Sequence, residues 1–310
     1  MWNGLKIVAP LVLIVVLGAV LRRVGFLKDD DRDRLTGLLY WVVLPCLLFR
    51  SMYRSGGISQ LSLNMFLGTY LPFFLVPVVA LAVAWLRRPG GRRRLALCAM
   101  SSVRANNIYL GLPAAYLAMG EAGQAAASIY IAVMLPGYNL LSILWGEAIL
   151  SGGLSPRTVA RTLVRLTRNP LVSSCILGLV CAQLRVPVPD TLIVSLGMVG
   201  EMAVGLALIS LGIGVDFSDI GHALQRTWPD VLIKLFVHPA VSLLCFVVWP
   251  VADDLVKVAV LLCAMPTAIN TFIIAEGMKM EGGYIGEVIA VSTTGAALTI
   301  PIWLSILGVS

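Results

Sequence analysis

Ten apolar runs, each near the length that crosses a bilayer, follow one another along this chain with little between them. They lie near residues 5–21, 36–53, 65–86, 95–119, 124–150, 169–185, 190–215, 230–252, 256–279 and 284–308. A helix needs about 20 apolar residues to span roughly 30 Å of hydrocarbon. The segments between the runs leave no room for a soluble domain, so whatever the chain does happens in or beside the membrane. Composition agrees: 59% of residues are hydrophobic and 13% charged, against soluble norms of roughly 45–50% and 25%. An ordinary soluble enzyme, a disordered chain and a disulfide scaffold are all excluded. The fold class expected is an all-α integral membrane protein with ten transmembrane helices.

The net charge of +7 would raise nucleic acid as a partner in a soluble protein. Here the basic residues fall in short loops and read as membrane orientation instead. Arg22, Arg23, Lys28, Arg32 and Arg34 follow span 1. Arg87, Arg88, Arg92, Arg93 and Arg94 follow span 3, and Arg157, Arg161, Arg165 and Arg168 follow span 5. With Arg226 and Lys279, sixteen basic residues lie on one side, against Lys6, Arg50, Arg54, Arg185 and Lys257 on the other. This bias predicts both termini outside a bacterial cytoplasmic membrane. No cleavable signal peptide is evident around the first run. The six cysteines all sit inside apolar runs without metal-type spacing and read as small core residues.

An internal repeat divides the chain. Leu97-Cys98-Ala99-Met100 in span 4 recurs as Leu262-Cys263-Ala264-Met265 in span 9, and Asn106 and Asn270 follow at nearly equivalent places. The division predicted is a first five-helix unit over 1–153, a basic cytoplasmic linker over 154–168, and a second unit over 169–310. An odd number of spans per unit inverts the second, as in many secondary transporters. The two matching spans are also the most interrupted. Arg104, Asn106, Asn107, Gly111 and Pro113 crowd span 4; Pro266 and Asn270 fall in span 9. Proline removes a donor and clashes with the carbonyl four residues back, and Asn and Gly are poor helix formers. Both spans are therefore expected to unwind near the midplane and cross there. Two half-helix N-termini at that point, with partial positive charge, suit a carboxylate. Asn106, Asn107 and Asn270 add amide donors. The bland alternative is a pair of kinked helices packed by their neighbours.

Charges inside spans need their own explanation, because each costs at least ~2.5–3.5 kcal/mol on insertion scales. Arg104 can bind an anion or form a structural ion pair. Glu201, deep in span 7, can pair with Arg104 or carry a coupling proton. Glu147 and Glu276, near span ends, are further coupling candidates, and Glu287 reads as interfacial. Lys234 is expected to snorkel to the membrane surface. His222 and His238 are too few for a proton relay or metal site. No nucleotide-binding glycine loop, HExxH or GxSxG stands in the sequence, so no cofactor and no enzymatic activity are expected.

Asn106-Asn107-x-x-x-Gly111-Leu112-Pro113 with Gly120, Met265-Pro266-x-Ala268-x-Asn270 with Ala275-Glu276, Gly18 before Arg22-Arg23-Val24-Gly25-Phe26-Leu27, and Leu44-Pro45 resemble the auxin efflux carrier family. That family includes bacterial malate and malonate permeases and plant auxin exporters, with a bile-acid-symporter-like fold. The resemblance covers essentially the whole chain. It implies a scaffold from spans 1, 2, 6 and 7 and a transport part from spans 3–5 and 8–10. It also implies substrate at the crossover of spans 4 and 9, around Asn106, Pro113, Pro266 and Asn270, moved by an elevator-like shift. The partners implied are a small organic anion, a coupling proton or sodium ion, and lipid, with a homodimer as an option. The plant members' long central loop is absent, and Leu48 replaces a serine that they carry. Two other readings stay open from the residues: a sodium-coupled symporter of the bile-acid type, and a membrane sensor that binds without transport.

Overall fold

The computed structural model describes residues 2–54, 62–87, 91–152, 156, 160, 164, 170–214 and 220–309. The linker arginines at 157, 161, 165 and 168 lie outside the described residues. The architecture is helical, and among the described residues the sole β-type pairing is an isolated bridge between Ala105 and Thr267. Six helical stretches are long and apolar enough to cross a membrane: 30–54, 63–86, 107–151, 190–210, 220–248 and 282–306. Individual helices are α1 (Trp2–Arg23), α2 (Asp29–Leu38), α3 (Leu44–Arg54), α4 (Leu63–Tyr70), α5 (Pro72–Leu86), α6 (Arg92–Ser102) and α7 (Leu112–Ser151). After the linker come α8 (Pro170–Gln183), α9 (Asp190–Gly214), α10 (Ile220–Leu232), α11 (His238–Val248), α12 (Asp253–Cys263), α13 (Asn270–Gly277) and α14 (Gly282–Ile306).

The two spans with the sequence repeat occupy the core and are interrupted there. Residues 96–107 and 258–268 are buried without a break, the signature of a segment enclosed on every side. Span 4 becomes α6, a break at 103–106, and a helix resuming at Asn107. Span 9 becomes α12, a break at 264–269, and the short α13. Gly120 stands at φ 63 and ψ −146 inside α7, a backbone state that only glycine adopts freely. It turns the chain from the end of span 4 into span 5 with no loop between them.

Close helix contacts rest on small residues. A Cβ added to Gly18 of α1 would meet Ile209 O of α9 at 2.3 Å, and one on Gly212 of α9 would meet Val15 O of α1 at 2.0 Å. Reciprocal glycines thus let these two backbones touch, as membrane helices do where packing replaces the hydrophobic drive.

Prolines shape the remaining helices by one recurrent device. Three widened π turns, Leu39–Val43, Asn107–Gly111 and Ile233–Val237, each end two residues before a proline: Pro45, Pro113 and Pro239. The wider turn accommodates the ring and the missing donor. Tryptophans then satisfy carbonyls that proline deprives of a partner. Pro77 leaves Phe73 O without its N–H, and Trp145 Nε1 donates there at 2.9 Å. In the second half, Pro239 does the same to Leu235 O, and Trp303 Nε1 donates at 2.8 Å. The two prolines are 162 residues apart, as are the two carbonyls.

Trp145→Phe and Trp303→Phe should each lower stability by about 1 kcal/mol, the cost of a buried carbonyl left without its donor. Thermal unfolding in detergent checks this. Restoring a backbone donor with Pro77→Ala should offset much of the Trp145→Phe loss.

Candidate functional site at the crossover

The two breaks satisfy each other. Ala105 and Thr267 face one another in antiparallel register. Asn106 N donates to Pro266 O at 2.7 Å, and Ala268 N donates to Arg104 O at 2.9 Å. Thr267 N donates to Ser292 Oγ of α14 at 3.1 Å, and Tyr138 OH of α7 donates to Ala105 O at 3.3 Å. Backbone groups freed from a helix in the core thereby find partners, as burial demands. Beyond the bridge, Asn106 caps the resumed helix. Its Oδ1 accepts from Tyr109 N at 3.3 Å, and its carbonyl accepts from Gly111 N, five residues on, at 3.0 Å. Gly111 is small by necessity, since a Cβ there would press within 3.1–3.2 Å of Leu262 at the end of α12 and Met265 in the other break.

A cavity of about 80 Å³ opens on this crossing, lined by Tyr40, Asn106, Asn107, Tyr109, Tyr138 and Asn270 among apolar neighbours such as Met134 and Leu171. It has room for about three waters. Its polar lining is under-used. Asn106 Nδ2 and Asn107 Oδ1 are buried with no hydrogen-bond partner among the described residues. Asn107 Nδ2 reaches only the Met134 sulfur, at 3.6 Å. Such unsatisfied groups are rare in cores and each calls for an explanation. The helix resuming at Asn107 and the helix α13 starting at Asn270 both begin at this cavity, bringing two partially positive N-termini to it.

Arg104 lies behind the cavity lining and is 0% exposed. Its guanidinium makes three charge-assisted hydrogen bonds: Nη1 to Ser142 Oγ at 2.7 Å, Nη2 to Asn270 Oδ1 at 3.1 Å, and Nε to Thr271 Oγ1 at 3.2 Å. Its Cζ stands 4.4 Å above the Tyr138 ring, a cation–π distance. Every one of these partners is neutral. Among the described residues no carboxylate pairs with this buried cation.

The other sequence candidates fall in different places. Pro266 contributes its carbonyl to the bridge. Pro113 is buried in the first turn of α7, after the break rather than in it, and lines no part of the cavity. The wide turn Asn107–Gly111 just before it absorbs the ring and the missing donor, so the unwinding is carried by residues 103–106 instead. Glu201 does not meet Arg104. Its side chain is 75% exposed on α9, 4.0 Å from Arg50. Glu147 is half-buried near the end of α7, away from the cavity. Glu276 belongs to α13, and its side chain lies outside the described residues. Glu287 pairs with Arg226 at 2.9 Å. Lys234 does not snorkel: it is 1% exposed, because the helix leading to it already runs from Ile220, roughly 21 Å away at 1.5 Å per residue. Ser142, Thr271 and Tyr138 escaped the sequence reading. The one available signal was the i, i+4 spacing of Tyr138 and Ser142, which puts both on one face of α7.

A broken-helix crossover with an under-satisfied polar cavity, inside a multi-pass helical protein, is an arrangement that suits membrane transport. Residues 155–304 match the family model described as membrane transport protein. Over 97% of its length the chain is 24% identical to an "Uncharacterized transporter" of Methanothermobacter thermautotrophicus, covering 97% of that protein. It is also 24% identical to a "Putative malonate transporter" of Rhizobium meliloti, over 87% of this chain and 85% of the other. Over its second half the chain is thus similar to this family of membrane transport proteins, and its crossover residues resemble the auxin efflux carrier type.

The ring beneath Arg104 gives a direct test of how the cation is held. Tyr138→Leu should destabilise the protein by about 1–2 kcal/mol, measured as a lower unfolding temperature in detergent. Tyr138→Phe, which keeps the aromatic face and loses only the bond to Ala105 O, should cost less.

Proposed function

We propose that this chain is a secondary transporter of a small organic anion, a mono- or dicarboxylate, bound at the crossover. The observation that carries this reading is the buried Arg104 guanidinium, surrounded by neutral partners and tied through Asn270 to a cavity with idle amide groups. A buried cation without a counter-charge is costly, and a carboxylate in the cavity supplies that charge. Asn270 is the link. Its Oδ1 is taken by Arg104, so its Nδ2 remains as the donor for the anion. Asn106 Nδ2 and the two half-helix N-termini add further donors. The cavity's size favours a substrate of few atoms. The relative named for malonate transport points to a compound of that kind.

The movement we infer is an elevator-type shift in a fold of two inverted five-helix repeats, with α1, α2, α3, α8 and α9 as scaffold. Support comes from the antiparallel pairing of the two breaks and from the proline–tryptophan device, which occurs once in each half. Two equivalent halves provide inward- and outward-facing states of similar energy. An ion gradient then drives the cycle across a cytoplasmic membrane. Glu201 is poorly placed for coupling, because its side chain is exposed and beside Arg50.

The test is uptake of labelled malonate and succinate by purified protein in liposomes. Saturable flux is expected. Asn270→Ala should reduce it about 10- to 100-fold, the worth of one hydrogen bond to a charged group. Unchanged flux in Asn270→Ala, or ligand binding with no flux under any gradient, contradicts the reading.

A further inference from the structure

A second buried cation stands behind α12. Lys234, in the π turn Ile233–Val237, sends its Nζ to Cys263 O at 2.7 Å and lies 3.1 Å from His238 Nδ1. Lys234 is 1% exposed and His238 2%. Cys263 is the last residue of α12, and the chain then runs directly into the segment that pairs with residues 104–106. The ammonium therefore holds the partially negative end of the very half-helix that enters the crossover. The groups facing it from packed elements are weak acids or neutral. The Cys263 thiol, itself 3.2 Å from Tyr130 OH of α7, is one, and Cys245 and Ser242 of α11 are others. The Phe73 ring of α5 lies against His238, 6.4 Å between ring centres. Tyr70 OH is committed to Val133 O. Asp230, one turn back on the same helix, is bound by Tyr284. Among the described residues no carboxylate pairs with Lys234.

We propose that Lys234 and His238 together hold the coupling proton of the transport cycle. Two basic nitrogens within hydrogen-bond distance share one proton between them, taken from water on one side of the membrane and given up on the other. While the pair carries it, Nζ is an ammonium that grips Cys263 O and fixes the end of α12. Without it, Nζ is a neutral amine, the grip weakens, and the bridge segment 264–268 loses its anchor. Charge balance runs the same way. Arg104 and a protonated Lys234 together offset the two charges of a dicarboxylate, so the loaded core carries no net charge from these groups through the hydrocarbon. This assignment rests on the anion-transport reading above.

Liposomes with a trapped pH dye test it, with malonate as the probe. Wild-type protein should bring protons in with malonate, and an inward gradient of one pH unit should raise malonate accumulation up to about tenfold. In Lys234→Gln, malonate–malonate exchange should persist at a reduced rate, while accumulation changes less than about twofold with the same gradient. His238→Gln should shift the pH dependence of uptake. Absence of any malonate flux in the wild type counts against the anion-transport reading itself. Flux that ignores the gradient in the wild type, or follows it fully in Lys234→Gln, overturns the proton assignment and leaves that reading standing. Should neither variant exchange malonate, calorimetry of malonate binding to the wild type in two buffers of different ionisation enthalpy decides. Net proton uptake supports the assignment, and none overturns it.

Discussion

Backbone amides at membrane depth have no water to turn to, and this one constraint organises the centre of the molecule. A helix may open there only if something else takes its donors and acceptors. Here each of two opened helices serves the other. Asn106 N finds Pro266 O, Ala268 N finds Arg104 O, and the bridge at Ala105 and Thr267 closes the pairing. Each break takes backbone partners from the other. Their mutual dependence explains why both spans are buried on all sides and why Gly111 leaves space against Leu262 and Met265.

Opening the helices has a second effect. It places side-chain amides and helix N-termini where a continuous helix would show only apolar surface. Asn106 divides its functions: backbone N–H to the bridge, Oδ1 to the cap of the following helix, and Nδ2 to no group among the described residues. Asn270 is equally divided between Arg104 and the cavity. The interior also holds two cations, Arg104 and Lys234, with neutral partners at one and a histidine and a carbonyl at the other. A charge arrangement of that kind is poor as a stabilising device. It is well suited to a core whose balance is completed by what it binds.

Much of this was legible in the residues and some was not. Asn, Pro and Gly clusters in two matching spans located the breaks, because those residue types fail in helices for local reasons. What sequence alone could not supply was the rotation of each helix about its axis. Glu201 lies deep in its span, yet it faces away from Arg104 and beside Arg50. Lys234 looked close to a span end because polar residues 220–229 hid a helix that already runs from Ile220. Pro113 drew attention as a helix breaker, but the wide turn before it absorbs the defect. Tyr138, Ser142 and Thr271 are ordinary residues whose importance comes only from which side chain they surround.

The central claim is that an anion's carboxylate completes the charge at the crossover through the side-chain amides of Asn106 and Asn270. The most direct measurement is solid-state NMR on lipid-embedded protein, with 13C-carboxylate malonate and 15N-labelled asparagine side chains. Dipolar contact at hydrogen-bond distance, lost in Asn106→Ala and Asn270→Ala, is the predicted result. Saturable malonate binding with no such contact would place the anion elsewhere and contradict the account.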